Sequence, residues 1–115
     1  MAKTYNFDID QGSDKSLVLN LKDAAGAELD LAGYAARMQL RRTIASPAVA
    51  DELTSDNGRI SIEAGVGQII CEFPHDISSA YAAGAFVYDI ELVDPDGIVR
   101  RILEGKITVR PEVTR

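Results

Sequence analysis

A period of two runs through most of this chain, and it limits the possible folds more than any other feature. In Tyr5-Asn6-Phe7-Asp8-Ile9-Asp10 the large residues hold odd positions and the polar ones even positions. An extended strand would therefore collect Tyr5, Phe7 and Ile9 on one face. Leu17, Leu19 and Leu21 repeat that parity after the turn signal Gln11-Gly12-Ser13-Asp14. Ala36, Met38 and Leu40 alternate with Arg37, Gln39 and Arg41, which predicts a half-buried strand with a basic outer face. Ala and Met are weak strand formers, so an amphipathic helix over 32–43 competes with it.

Residues 44–58 are less regular, with Ser46-Pro47 and Asp56-Asn57-Gly58 bracketing a short edge strand within Val49 to Leu53. Ile60 and Ile62 predict another short strand. Gly65 and Gly67 then turn the chain into Gln68 to Phe73, which places Ile69, Cys71 and Phe73 on one face. Pro74 ends that run. A single helical turn is expected near 76–82, with Asp76 as its N-cap and Gly84 as its stop. Phe86, Tyr88, Ile90 and Leu92 form the next alternation, and Asp94-Pro95-Asp96-Gly97 is a strong turn that returns the chain along Ile98 to Val109. Parity slips around Arg100 to Leu103, and Gly105 is the expected bulge. The expected fold is all-β: one antiparallel sandwich domain over residues 1–115 with about seven strands.

Composition narrows the function. Eighteen acids against twelve bases give 115 residues a net charge of −6, the wrong sign for nucleic acid. No run approaches the roughly 18 apolar residues of a membrane helix. The single Cys71 leaves no cysteine-based zinc site or intrachain disulfide. His75 beside Asp76 suggests an imidazole oriented by a carboxylate, but no nucleophile accompanies it. Asp8, Asp10 and Asp14 lack the spacing of a calcium loop and fit the wet face of a strand better. No metal or cofactor is expected, and no active-site constellation forms, so an enzyme is not expected either.

The basic pairs Arg41-Arg42 and Arg100-Arg101, with Arg37, allow two readings. They form a cationic patch for an acidic partner, or they are solvated arginines paired with Asp89 and Glu91 across a sheet. Tyr34 and Tyr81 are the loop aromatics that a glycan-binding surface would use.

One resemblance spans nearly the whole chain. The stretch Tyr88-Asp89-Ile90-Glu91-Leu92, Asp96-Gly97, Arg101-Ile102-Leu103-Glu104-Gly105 and Pro111-Glu112-Val113-Thr114-Arg115 resembles the ending of small proteins of tailed bacteriophages and prophages. Gln11-Gly12-Ser13-Asp14 with Leu17 and Leu19 is similar to their start, and Leu29-Asp30-Leu31-Ala32-Gly33-Tyr34 through Arg41 to their centre. The segment Pro74 to Ala83, followed by Gly84 to Asp89, is similar to a further element of theirs. The chain is also similar to the immunoglobulin-like N-terminal domain of phage baseplate upper proteins.

That resemblance implies an immunoglobulin-like sandwich and a non-enzymatic virion protein. The expected role is an adaptor in the tail, baseplate or head-to-tail region, present in several copies or as a homo-oligomer. A capsid decoration protein and a host-surface receptor- or glycan-binding module are the alternatives. The expected partners are other virion proteins, with neither nucleic acid nor membrane among them. Candidate contact residues are Tyr5, Phe7 and Ile9 on the first strand, Arg41, Arg42, Arg100 and Arg101, and the terminal Arg110, Pro111, Val113 and Arg115.

Overall fold

In the computed structural model, which describes residues 2–114, the period of two becomes two facing β-sheets. In chain order the strands are β1 (Lys3–Thr4), β2 (Phe7–Asp10), β3 (Lys15–Asn20), β4 (Ala35–Arg41), β5 (Asp51–Thr54), β6 (Ile60–Glu63), β7 (Gln68–Phe73), β8 (Gly84–Val93) and β9 (Val99–Arg110). A 3-10 turn at Ala64–Val66 and a short helix α1 (His75–Ser78) complete the elements. The larger sheet runs β5-β4-β8-β9, with β1 and β2 both on the outer edge of β9, and the smaller runs β3-β7-β6.

The alternation reads the inner faces correctly. Ala36, Met38 and Leu40 from β4, Phe86, Tyr88, Ile90 and Leu92 from β8, and Ile69, Cys71 and Phe73 from β7 are all buried in one core. Residues 35–41 are a strand, so the helical alternative over 32–43 fails; Met38 and Leu40 bury fully only with a two-residue repeat.

Four expectations need correction. The sandwich is not wholly antiparallel, because β1 and β2 run parallel to β9, pairing Lys3 with Leu103 and Phe7 with Ile107. Parity reveals which face is buried but not which strand lies alongside or in which direction. The first run is also split: Tyr5 and Asn6 lie between β1 and β2, which helps raise the strand count above seven.

The bulge is at Ile102, since Ile90 pairs with Leu103 while Glu91 pairs with Arg101. Gly105 serves a different purpose. A Cβ there would lie 2.1 Å from the Tyr5 carbonyl oxygen, so only glycine lets the N-terminal segment lie this close to β9. The helix also differs from expectation. It begins at His75, Pro74 occupies the N-cap without a side-chain bond, and Asp76 sits in the first turn. The cap is remote: the Asp14 carboxylate accepts the His75 backbone N–H at 2.7 Å. Ser78, fully buried, donates to the Ser13 carbonyl at 2.9 Å and ties α1 to the β2–β3 turn.

Candidate functional site

The outward-facing positions of the larger sheet form a broad trough of about 750 Å³ whose lining includes residues of β4, β5, β8 and β9. Strand register sets its charges in rows. Glu52, Gln39, Asp89 and Glu104 are successive cross-strand partners, so three acids share one row across the sheet. On one side Arg37 pairs in register with Glu91 and Glu91 with Arg101; on the other Arg41 pairs with Val87 and Val87 with Lys106. An acidic row therefore runs between two rows rich in bases.

Most of these charges are already paired. Arg37 Nε lies 2.7 Å from Glu91, and Arg101 bridges Asp89 at 3.4 Å and Glu104 at 3.5 Å. Arg41 donates to the Ser46 carbonyl and to Gln39 Oε1, both at 2.8 Å. Asp89 still titrates above the ordinary carboxylate value. Partial burial is the main cause, and the charges of Glu91 and Glu104 add to it against the pull of Arg101.

The candidate contact residues do not converge on one site. Phe7 and Ile9 are core residues, buried against Phe73, Tyr88 and their neighbours, so they are not surface contacts of the monomer. Tyr5 is 47% exposed and stacks on Phe7, while its carbonyl accepts the Tyr88 hydroxyl. Arg41 and Arg101 share the trough. Arg42 lies over the Phe86 ring at 4.2 Å and donates to the carbonyls of Ala83 and Ala85. Arg100 is at the opposite end of the sandwich, on the rim of a small apolar crevice with Leu21, Tyr34 and Ile98.

The single cationic patch is thus not assembled, and the pairing with Asp89 and Glu91 is the arrangement found. Arg110 stands between Asp10 at 3.4 Å and Asp8 at 3.9 Å. Pro111 is exposed and Val113 is 94% exposed; Arg115 lies outside the described residues. Tyr81 is buried rather than presented as a loop platform, and Tyr34 packs half-buried against the core.

Sequence reasoning missed one cluster. Where β5 begins and β7 ends, the Arg59 guanidinium grips both oxygens of Asp51 at 3.2 and 2.9 Å and donates through Nε to the Glu72 carbonyl at 3.1 Å. The Tyr81 hydroxyl donates to the same carboxylate. Asp51 belongs to the larger sheet and Arg59 adjoins β6 of the smaller, so the pair clamps the two together. Burial alone would lower the Arg59 pKa, but the bonds and charge of Asp51 outweigh it and raise it. Burial, then Asp51, pushes the Tyr81 phenol up. No local motif signals this cluster, because its members come from four separate segments.

Reactive chemistry is sparse. Cys71 is fully buried and its thiol is pushed up to about 12, mainly by burial. His75 is exposed, with Nδ1 3.0 Å from Asp14 rather than paired with Asp76; the His75 backbone N–H, then its ring, hold the Asp14 carboxyl below the ordinary range. Among the described residues no three His, Cys, Asp or Glu side chains converge to hold a metal, and no helix is long and apolar enough to cross a membrane.

These features define an immunoglobulin-like β-sandwich whose polar groups are spent largely on its own structure. No family model and no curated protein matches the sequence. Among solved structures, CopC from Methylosinus trichosporium OB3b is similar with a TM-score of 0.52 and 15% identity, over 94% of this chain and 86% of that one. Murine CRIg aligns more loosely, with a TM-score of 0.39 and 12% identity over 93% and 92% of the two chains.

Proposed function

We propose that the protein is a non-enzymatic structural component of a tailed-phage virion, an adaptor of the tail, baseplate or head-to-tail region. The observation that carries this reading is the order of motifs along the chain, from Gln11-Gly12-Ser13-Asp14 through Leu29 to Arg41 to the closing Tyr88 to Arg115. What these segments build suits the role. The central motif forms β4 and its approach, and the closing motif forms the β8–β9 hairpin, so they make the middle of the larger sheet. The trough across that sheet presents alternating rows of charge, which favour a polar protein surface in one register over others. Tyr81 is buried and Tyr34 half-buried, so neither of these two aromatics offers a glycan an open platform.

Quantitative mass spectrometry of purified virions tests this. The expected result is a copy number near that of ring-forming tail proteins. A count approaching the major capsid protein would replace the adaptor with a decoration protein. Absence from the particle would end the virion reading altogether.

A further inference from the structure

Sheet edges are ready-made templates for pairing, and folded proteins blunt them with charge, proline, bulges or brevity. Three of the edges here are blunted in this way. β2 carries Asp8 and Asp10 beside Arg110, β5 is four residues long and opens on Asp51-Glu52, and β6 is four residues long, follows Arg59 and ends on Glu63. The edge strand β3 is different. It is six residues long, its one charge is Lys15 at the start, whose ammonium lies 5.9 Å from the Phe7 ring centre, and from Ser16 to Asn20 it holds no charge, proline or glycine.

The direction of its main-chain groups follows from neighbouring bonds. Leu21 N–H donates to the Gly67 carbonyl, so in an alternating ladder Leu19 and Leu17 also face β7. On β7 the Glu72 N–H donates to Arg59 on the β6 side, which agrees with Cys71 facing Leu17. The N–H and C=O groups of Ser16, Val18 and Asn20 therefore point away from the sheet, and Val18 is 47% exposed.

We propose that β3 is a self-association edge, on which a second copy of this chain pairs antiparallel about Val18. The pairing joins two three-stranded sheets into one continuous sheet across a two-fold axis. The choice of a second copy rests on charge and on self-complementarity. Each chain carries −6, so two copies meet at least cost along the uncharged stretch from Ser16 to Asn20. Reversed on itself about Val18, the segment sets Val18 against Val18, Ser16 against Asn20 and Leu17 against Leu19, with no like charges opposed. The outward groups of Ser16, Val18 and Asn20 then exchange about six main-chain hydrogen bonds. An isologous contact of this kind closes as a dimer and needs no other protein, so it stands apart from the virion reading.

Sedimentation of the purified full chain over a range of concentrations tests the proposal. The expected mass rises from 12.4 kDa toward twice that value. Val18→Lys, which opposes two ammonium groups at the axis, is expected to weaken association by at least about tenfold while leaving the unfolding midpoint of the monomer in place. A Cα separation of about 5.5 Å across the axis also suits a disulfide. Val18→Cys with oxidised glutathione should therefore give a covalent dimer, whereas Ser61→Cys, exposed on β6, should not. A chain that stays monomeric, a Val18→Lys variant that associates like the parent, or cross-linking through Ser61→Cys alone would each overturn it.

Discussion

Two sets of arginine–carboxylate pairs hold this sandwich, and they differ in where they stand. The Asp51–Arg59 pair is closed in by Glu72 and Tyr81, with its side chains 15% and 16% exposed. The Arg37–Glu91 pair on the outer face of the larger sheet has a shorter contact, 2.7 Å against 2.9 Å, yet its arginine is 52% exposed. Water screens the second pair and competes for its hydrogen bonds, so the geometry contributes little. In the first, each partner has given up solvent, and removing one strands a charge in a place that no longer solvates it. Distance alone does not rank such contacts; burial does. The buried pair also joins the two sheets, whereas Arg37 and Glu91 lie on adjacent strands that the main-chain ladder already joins.

The sharpest way to break the comparison is to delete one carboxylate from each pair. Asp51→Ala is expected to cost about 2–4 kcal/mol in denaturant unfolding, because it leaves the Arg59 guanidinium and the Tyr81 hydroxyl without their partner. Glu91→Ala should cost about 0–1 kcal/mol by the same measurement. Equal losses would mean that burial is not what distinguishes the pairs. Tyr81→Phe is the next step down. It keeps the ring packed near Phe86 and removes only the donated bond, for an expected loss of about 1–2 kcal/mol. A neutral result would assign the Asp51 carboxylate to Arg59 alone.

What the sequence made legible follows the same division between local and non-local causes. The inner faces of β4, β7 and β8 follow from the period of two, because burial acts on every second residue. The β8–β9 hairpin follows from Asp94-Pro95-Asp96-Gly97, and the structure shows the means: the Asp94 carboxylate accepts the N–H groups of Asp96 and Ile98 at 2.9 Å. Gly105 was an ambiguous signal. A glycine in a strand marks either a bulge or a close approach, and only the position of Tyr5 shows that here it is the approach. The parallel docking of β2 on β9, the Asp14 cap on α1 and the Asp51–Arg59–Tyr81 clamp each join segments far apart in the chain. A single sequence has no local pattern that encodes such meetings. The candidate surface was legible only in its residue types: Arg37 and Arg101 do meet Glu91 and Asp89, but the order of the rows depends on strand register.

The smallest expected effect concerns the charged face itself. Asp89 stands opposite Glu104 in the acidic row, and its folded pKa lies above the ordinary value, first through burial and then through its acidic neighbours. In the window between the ordinary and the raised value the native state binds more protons than the unfolded one, so stability falls as pH rises through it. The penalty is full above the raised value and absent below the ordinary one, about 3.9. Asp89→Asn keeps an oxygen for Arg101 and removes the ionisation. The variant is therefore expected to be slightly more stable than the parent at pH 7, and the gain should shrink to nothing as pH falls through that window. Unfolding curves at several pH values check it. A variant that is less stable at pH 7 would mean that the 3.4 Å contact with Arg101 outweighs burial, and that the outer face contributes more to the fold than its exposure implies.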